Sequence, residues 1–257
     1  MTVWMDANIF VGQFPFRSVA RASVSETLSR MNSLGISGAI VSPMEAVFQE
    51  DSWAAEETLA EAISGMTQFM HFKVVNPKQP WWQRDAERAV NSLHVRGLRL
   101  CSTYHGYLVN GAKAAEVFEF ARERDLPVLV HCRMQDSRLQ WLLMTPEADV
   151  SEISAVIERF PQNRLIIAGL HFSDMLALAD LVNDRENVLL DTSRLKGPWR
   201  TFEKLAERLD LSRLAFGSLW PINLPECPLE QIRNADIGEP AREGILGGNL
   251  ARLLRLA

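Results

Sequence analysis

The chain has 257 residues, 47% hydrophobic and 23% charged, with a formal net charge of −5; this suits one large α/β barrel with a substantial core and excludes a disordered chain. The basic residues are scattered rather than clustered, which argues against nucleic acid and membrane partners and leaves a small-molecule substrate, with room for a homo-oligomer. Cys101, Cys132 and Cys227 form neither a CxxC pair nor a disulfide framework, and no targeting or membrane-spanning run is evident, so the chain reads as cytoplasmic.

Short apolar runs alternate with helical patterns along the whole chain, the signal of repeated βα units around a parallel sheet. The expected architecture is a single (β/α)8 TIM barrel over residues 1–257, its strands at 3–8, 38–42, 69–75, 97–101, 127–132, 164–169, 187–191 and 213–217. Their nearly continuous apolar character fits strands buried on both faces. Gly35 precedes the second strand and Asp125-Leu126-Pro127 the fifth, as helix-stop and turn signals require. Ala114, Val117, Phe118 and Ala121 form a one-sided apolar helical stripe, and Leu246, Leu250, Leu253 and Leu254 repeat the pattern in a last helix with Gly247 and Gly248 near its start. The longest connections, roughly fifteen to twenty residues, follow the fifth and eighth strands and are candidate active-site loops.

In such a barrel, function sits at the carboxyl ends of the strands. Asp6 and Asn8 are two residues apart and are expected to share a strand face, with Met5 and Ala7 turned toward the helices. Arg99 lies inside an apolar strand and must find acceptors, by pairing with Asp6 or Asp191 or by holding an anion. His131 ends the fifth strand, where an imidazole can ligate or move a proton. Asp191 ends the seventh, and His105 follows the fourth in Tyr104-His105-Gly106-Tyr107. The loop after His131 adds Arg133, Asp136 and Arg138 as candidate substrate contacts. For each of these the alternative is hydrogen-bonded structure or a solvated loop. Cys132 alternates away from the lumen and reads as apolar filler, His71 and His94 read as structural or solvated, and Trp81-Trp82 as core.

The series Asp6-Ala7-Asn8-Ile9-Phe10-Val11-Gly12 has the spacing of the D-x-H-x-H-x-G opening of amidohydrolase-superfamily barrels, and resembles most the amidohydrolase-related branch that includes decarboxylases. Lys73-Val74-Val75-Asn76-Pro77 resembles that family's third-strand "VNP" segment, residues 97–107 its fourth-strand "GLRL" segment and loop, and Leu129-Val130-His131 its fifth-strand ligand histidine. Residues 213–221 resemble its "RLLFGTDWP" and 247–254 its closing "GGNAARLL". The resemblance implies a metal-dependent hydrolase or decarboxylase-like barrel. Against that pattern, Asn8 and Phe10 stand where the first-strand histidines would be, Gly169 at the sixth-strand histidine and Leu219 at the eighth-strand aspartate. An amide is a weak ligand, and a phenyl ring or leucine is none.

Three readings follow. The leading one is a hydrolase-like or lyase-like enzyme that acts on a small molecule through Asp6, Asn8, Arg99, His105, His131 and Asp191 without a conventional zinc. A second keeps the barrel as a non-catalytic small-molecule binding or regulatory protein. A third builds a divalent metal site, such as zinc, from His131 and His171 with His105 or a carboxylate. The first two are separated by whether the polar residues surround an open pocket or are tied up with one another.

Overall fold

The computed structural model describes residues 3–16, 18–19, 23–134 and 146–256. Eight parallel strands follow one another around the sheet in chain order: β1 (Trp4–Val11), β2 (Ile36–Pro43), β3 (Phe69–Val75), β4 (Gly97–Leu100), β5 (Val128–His131), β6 (Leu165–Ala168), β7 (Val188–Asp191) and β8 (Leu214–Ala215). The ring closes where Ala7 N donates to Phe216 O, Leu219 N to Asn8 O and Phe10 N to Trp220 O, each at 2.8 Å. All eight expected strands are present, and the architecture is the (β/α)8 barrel.

Helices α1 (Val24–Leu34), α2 (Trp53–Ala62), α3 (Trp82–Ser92), α4 (Ser102–His105), α5 (Ala112–Glu123), α6 (Val150–Arg159) and α7 (Phe172–Asn183) alternate with the strands. The stripe Ala114, Val117, Phe118 and Ala121 is wholly buried between α5 and the sheet. Ser23 caps α1 and Asp149 caps α6, each in a reciprocal capping box with a glutamate three residues on, which satisfies amides that the first helical turn leaves free. After α8 (Thr201–Ala206), α9 (Glu226–Arg233) and α10 (Glu239–Glu243), the last helix, α11 (Asn249–Leu254), places Leu250 and Leu253 against Met5, Ala7, Phe72, Leu129 and Leu189. It seals the amino-terminal end of the barrel.

Those contacts correct one expectation. Met5 and Ala7 point into the lumen, while Ile9 and Val11 pack in the outer layer with α1 and β2. The parity changes because β1 carries a register shift between Asp6 and Ile9 relative to β2, and an extra residue in one strand reverses which side chains face inward. Asn8 and Phe10 therefore enter the barrel and Asp6 does not. No helix among the described residues is long and apolar enough to cross a membrane.

Candidate functional site

The carboxyl-end residues form a chain of hydrogen bonds across the lumen. Arg99, from β4, reaches over the barrel axis: its Nη1 donates to Asn8 Oδ1 at 2.8 Å and lies 3.2 Å from His131 Nε2, and its Nη2 donates to Ile9 O at 3.3 Å. Asn8 Nδ2 donates to Asp191 Oδ2 at 2.8 Å. The amide orientation follows from its partners, since a guanidinium only donates and a carboxylate only accepts. His131 Nε2 lies 2.9 Å from the same Asn8 Oδ1, and because that oxygen only accepts, this contact is an Nε2–H bond to it, so the imidazole and the guanidinium share one amide oxygen. Asp191 Oδ1 accepts from Gly169 N at 3.2 Å, Ser193 N at 3.1 Å and Ser193 Oγ at 2.7 Å. Asn8, Arg99 and Asp191 are 0% exposed and His131 is 1%.

Burial and neighbouring charge set the protonation states. Burial lowers the Arg99 guanidinium to about 10, with Cys101 and the carboxyls of Asp191 and Asp6 opposing, so it remains a cation at neutral pH. Burial, and after it the charge of Arg99, holds the His131 imidazole well below its ordinary range despite the Arg133 backbone. Burial raises Asp191 against its hydrogen bonds from Ser193, Asn8 and Gly169. The network thus holds one cation, a neutral imidazole and a carboxyl that one amide separates from the guanidinium.

Above it lies an apolar cap. Phe10, Met44, Met134 and Leu219 are at most 1% exposed and pack with Phe14, Val74, Cys101 and Ile222. The Phe10 ring covers the guanidinium, with 4.1 Å from Arg99 Cζ to the ring centre, and lies 5.6 Å from the His131 ring centre. Phe14, Phe16, Phe48 and Tyr104 continue outward as edge-to-face pairs with centroids 5.4 to 5.8 Å apart, a favoured geometry for aromatic quadrupoles.

Several expected site residues lie elsewhere. Asp6 backs β1, its Oδ1 accepting from Asn8 N at 2.9 Å and Ser218 N at 3.0 Å, beside a cavity of about 10 Å³ shared with Thr27, Met31 and Trp220. Burial raises its carboxyl to about 7, against hydrogen bonds from Ser218 and Asn8. Arg99 bonds neither Asp6 nor Asp191 directly, contrary to the expected ion pair; Asn8 stands between Arg99 and Asp191. His105 is outside the lumen, its Nε2 3.1 Å from Val47 O and its ring against Tyr107; burial lowers it to about 4. Arg133 braces β5 against α7 through Asp174 Oδ2 at 2.6 Å, Gly169 O at 3.2 Å and an ion pair with Glu147, leaving it committed to structure. Asp136 and Arg138 lie outside the described residues.

The histidines of the third reading are engaged elsewhere. His171 caps α7, with its amide bonded to Asp174, and His105 is held at Val47. Among the described residues no three His, Cys, Asp or Glu side chains stand together as a metal-binding group. Cys132 is buried in the outer layer and Trp82 in the core, as expected, and His71 is structural, its Nε2 2.6 Å from the buried Glu56 Oε2.

Sequence reasoning passed over Ser193, Ser218 and Gly217, and noted Gly169 only for its place in the family pattern. Ser193 was findable: a serine two residues after a strand-end aspartate is placed for a local hydrogen bond. At Gly217 a Cβ would fall 2.5 Å from Asp191 Oδ2, and at Gly169, whose φ is +84°, 2.4 Å from Arg133 O. Only glycine admits both that approach and that left-handed backbone. A cavity of about 1010 Å³ opens at the opposite end of the barrel, among Ser37, Gln68, Met70, His94 and Arg96, remote from these strand-end groups.

The fold recurs in solved structures. The barrel is similar to 2,6-dihydroxybenzoate decarboxylase from Rhizobium, with a TM-score of 0.75 at 17% identity over 100% of this chain and 99% of that one. It is similar to 5-carboxyvanillate decarboxylase from Sphingomonas paucimobilis, at 0.72 and 16% over 100% of both chains. A dihydroxybenzoic acid decarboxylase from Polaromonas sp. JS666, solved with bound manganese and the inhibitor 2-nitroresorcinol, matches at 0.72 and 18% over 100% of this chain and 98% of that one. No curated protein sequence matches the chain. The family profile described as Amidohydrolase matches residues 15–256; the chain belongs to the Amidohydrolase family.

Proposed function

We propose that residues 1–257 act as one small-molecule-binding barrel that keeps the amidohydrolase scaffold without metal-assisted hydrolysis. One observation carries this reading: the polar groups that hydrolysis would require are bonded to one another from Asp191 through Asn8 to Arg99 and His131, beneath the cap of Phe10, Met134 and Leu219. A water to be activated needs a base or Lewis acid with a free position. His131 Nε2 is instead held against Asn8 Oδ1 and Arg99 Nη1. The residues do not fit a divalent ion, because Asn8, Phe10 and Leu219 offer a single amide oxygen among them, and that oxygen already accepts from a cation.

The ligand class we assign is a small aromatic carboxylic acid. The aromatic side chains Phe14, Phe16, Phe48 and Tyr104 outside the cap suit a flat ring, and the structurally similar enzymes act on such acids. That likeness also favours a second reading, a lyase. Decarboxylation breaks the bond from ring to carboxyl, leaves the electron pair on the ring carbon and needs a proton there; Asp191, the lumen carboxyl with raised affinity for a proton, is its candidate source.

Calorimetric titration of the purified protein with 2,6-dihydroxybenzoate and 5-carboxyvanillate, with the acid followed by absorbance and released carbon dioxide, separates the two. Saturable binding with the acid unchanged is the expected result. Turnover would establish the lyase instead, and failure of both acids to bind would remove the ligand class.

A further inference from the structure

The resemblance of β1 and β5 to the family pattern marks positions 8, 10 and 131 as those whose side chains would surround a metal ion. In this chain all three converge on a single group. The Arg99 Nη1 donates to Asn8 Oδ1 at 2.8 Å and lies 3.2 Å from His131 Nε2, while the Phe10 ring covers the guanidinium face at 4.1 Å. His131 Nε2 is also 2.9 Å from Asn8 Oδ1, so the one amide oxygen holds both the guanidinium and the imidazole.

We propose that Arg99 is the resident cation of this barrel: its guanidinium stands where the family's ligand positions meet, and it holds a divalent ion out of the site.

Each departure from the family pattern is chemically matched to a guanidinium. An amide oxygen is a poor ligand for a transition metal and a good acceptor from an N–H donor. A phenyl ring cannot ligate, yet its face attracts a planar, weakly hydrated cation. The imidazole nitrogen nearest the guanidinium is held on the same amide oxygen, Asn8 Oδ1, rather than left open for a metal. Leu219, at the aspartate position, packs in the cap with Phe10 and Met134, where a carboxylate would be buried without a partner. Gly169, at the sixth-strand histidine position, has no room for a side chain beside the Arg133 carbonyl. Asp191 balances the charge through Asn8.

The exchange changes what the site can do. A guanidinium binds carboxylates through paired N–H donors, but it carries one delocalised charge and no open coordination position, so it does not generate hydroxide from bound water as a metal does. The site retains electrostatic recognition of anions and loses the means to make a nucleophile. This holds whether or not the barrel turns its ligand over, so its failure is distinguishable from failure of the binding reading.

The test is metal uptake. Wild-type protein purified without chelator is analysed for metal, titrated with zinc and manganese by calorimetry, and melted with and without each ion. The expected result is no stoichiometric metal and no shift in melting temperature. The Asn8→His/Arg99→Met double variant removes the guanidinium and adds an imidazole beside His131 and Asp191; it is expected to take up about one equivalent of zinc and to melt several degrees higher with it, since a ligand bound only by the folded state stabilises that state. Adding His131→Ala should abolish that uptake. Arg99→Lys, which keeps the charge, is expected to remain folded and free of metal. Stoichiometric metal in the wild type or in Arg99→Lys, lost on His131→Ala, overturns the proposal, as does a folded double variant that takes none. The wild-type titration decides the matter even if the double variant does not fold.

Discussion

The guanidinium carbon of Arg99 lies 4.1 Å from the centre of the Phe10 ring, with both groups fully buried. A buried cation over an aromatic face gains from the ring quadrupole without competition from water, an effect of about 2 kcal/mol when desolvated. Phe10→Leu keeps the cap apolar but removes that face. It should destabilise the fold by about 1 to 3 kcal/mol, combining the lost cation–π contact with the volume change. Urea unfolding reads this directly, and an unchanged midpoint would show that the contact contributes nothing.

Asn8 carries a larger share, since its two amide atoms connect Arg99 with Asp191. Asn8→Ala leaves a buried guanidinium proton and a buried carboxylate oxygen without their partner. Each lost hydrogen bond to a charged group costs about 1.5 to 3 kcal/mol, so the variant should lose roughly 3 kcal/mol or more in chemical denaturation. Asn8→Asp would supply two acceptors and no donor beside Asp191, and should be less stable at pH 8 than at pH 5, where a shared proton restores the donor.

Asp6 gives the fold a pH dependence of defined sign. Its carboxyl is raised from 3.8 to about 7, chiefly by burial, so between those values the folded state holds a proton that the unfolded chain has released. Stability from this group is full below pH 3.8, falls as pH rises and is lost above about 7. His131 and His105, both lowered by burial, act oppositely, reducing stability as pH falls below 6.5. Comparison of wild type with Asp6→Asn isolates the aspartate. The variant should gain on the wild type in melting temperature from pH 4 to about pH 7 and level off above it, and a constant difference over that range would refute the assignment.

Gly169 has a φ of +84° and would bring a Cβ to within 2.4 Å of Arg133 O. Gly169→Ala should therefore destabilise by at least about 1 kcal/mol, which for a chain of this size lowers the melting temperature by roughly 2 to 4 °C per kcal/mol. Because Gly169 N also donates to Asp191 Oδ1, the same variant should weaken ligand binding at the mouth if the network positions the ligand.

Much of the barrel was legible in the sequence. Apolar runs such as those at 165–168 and 188–190 read as strands covered on both faces, and the alternating helical stripes pack outside them. His131, Arg99, Asn8 and Asp191 were singled out because a polar side chain at the end of such a run has few places to go but the lumen. Local spacing carried that much, since strand periodicity is a property of the backbone of each segment.

Tertiary structure alone decided the rest. A register shift in β1 turned Asp6 out of the barrel, and such a shift depends on the neighbouring strand and on the Ser218 amide that holds the carboxyl. Whether Arg99 would meet a carboxylate or an amide depended on its reach across the axis from β4 to β1, a distance between elements 91 residues apart in the chain. The first strand has the spacing of a metal motif, and the sequence places Asn8 and Phe10 at two of its positions. It could not show that Asn8 and Phe10 meet on one guanidinium, because hydrogen-bond direction and ring contact are set by the closure of the ring rather than by any segment within it.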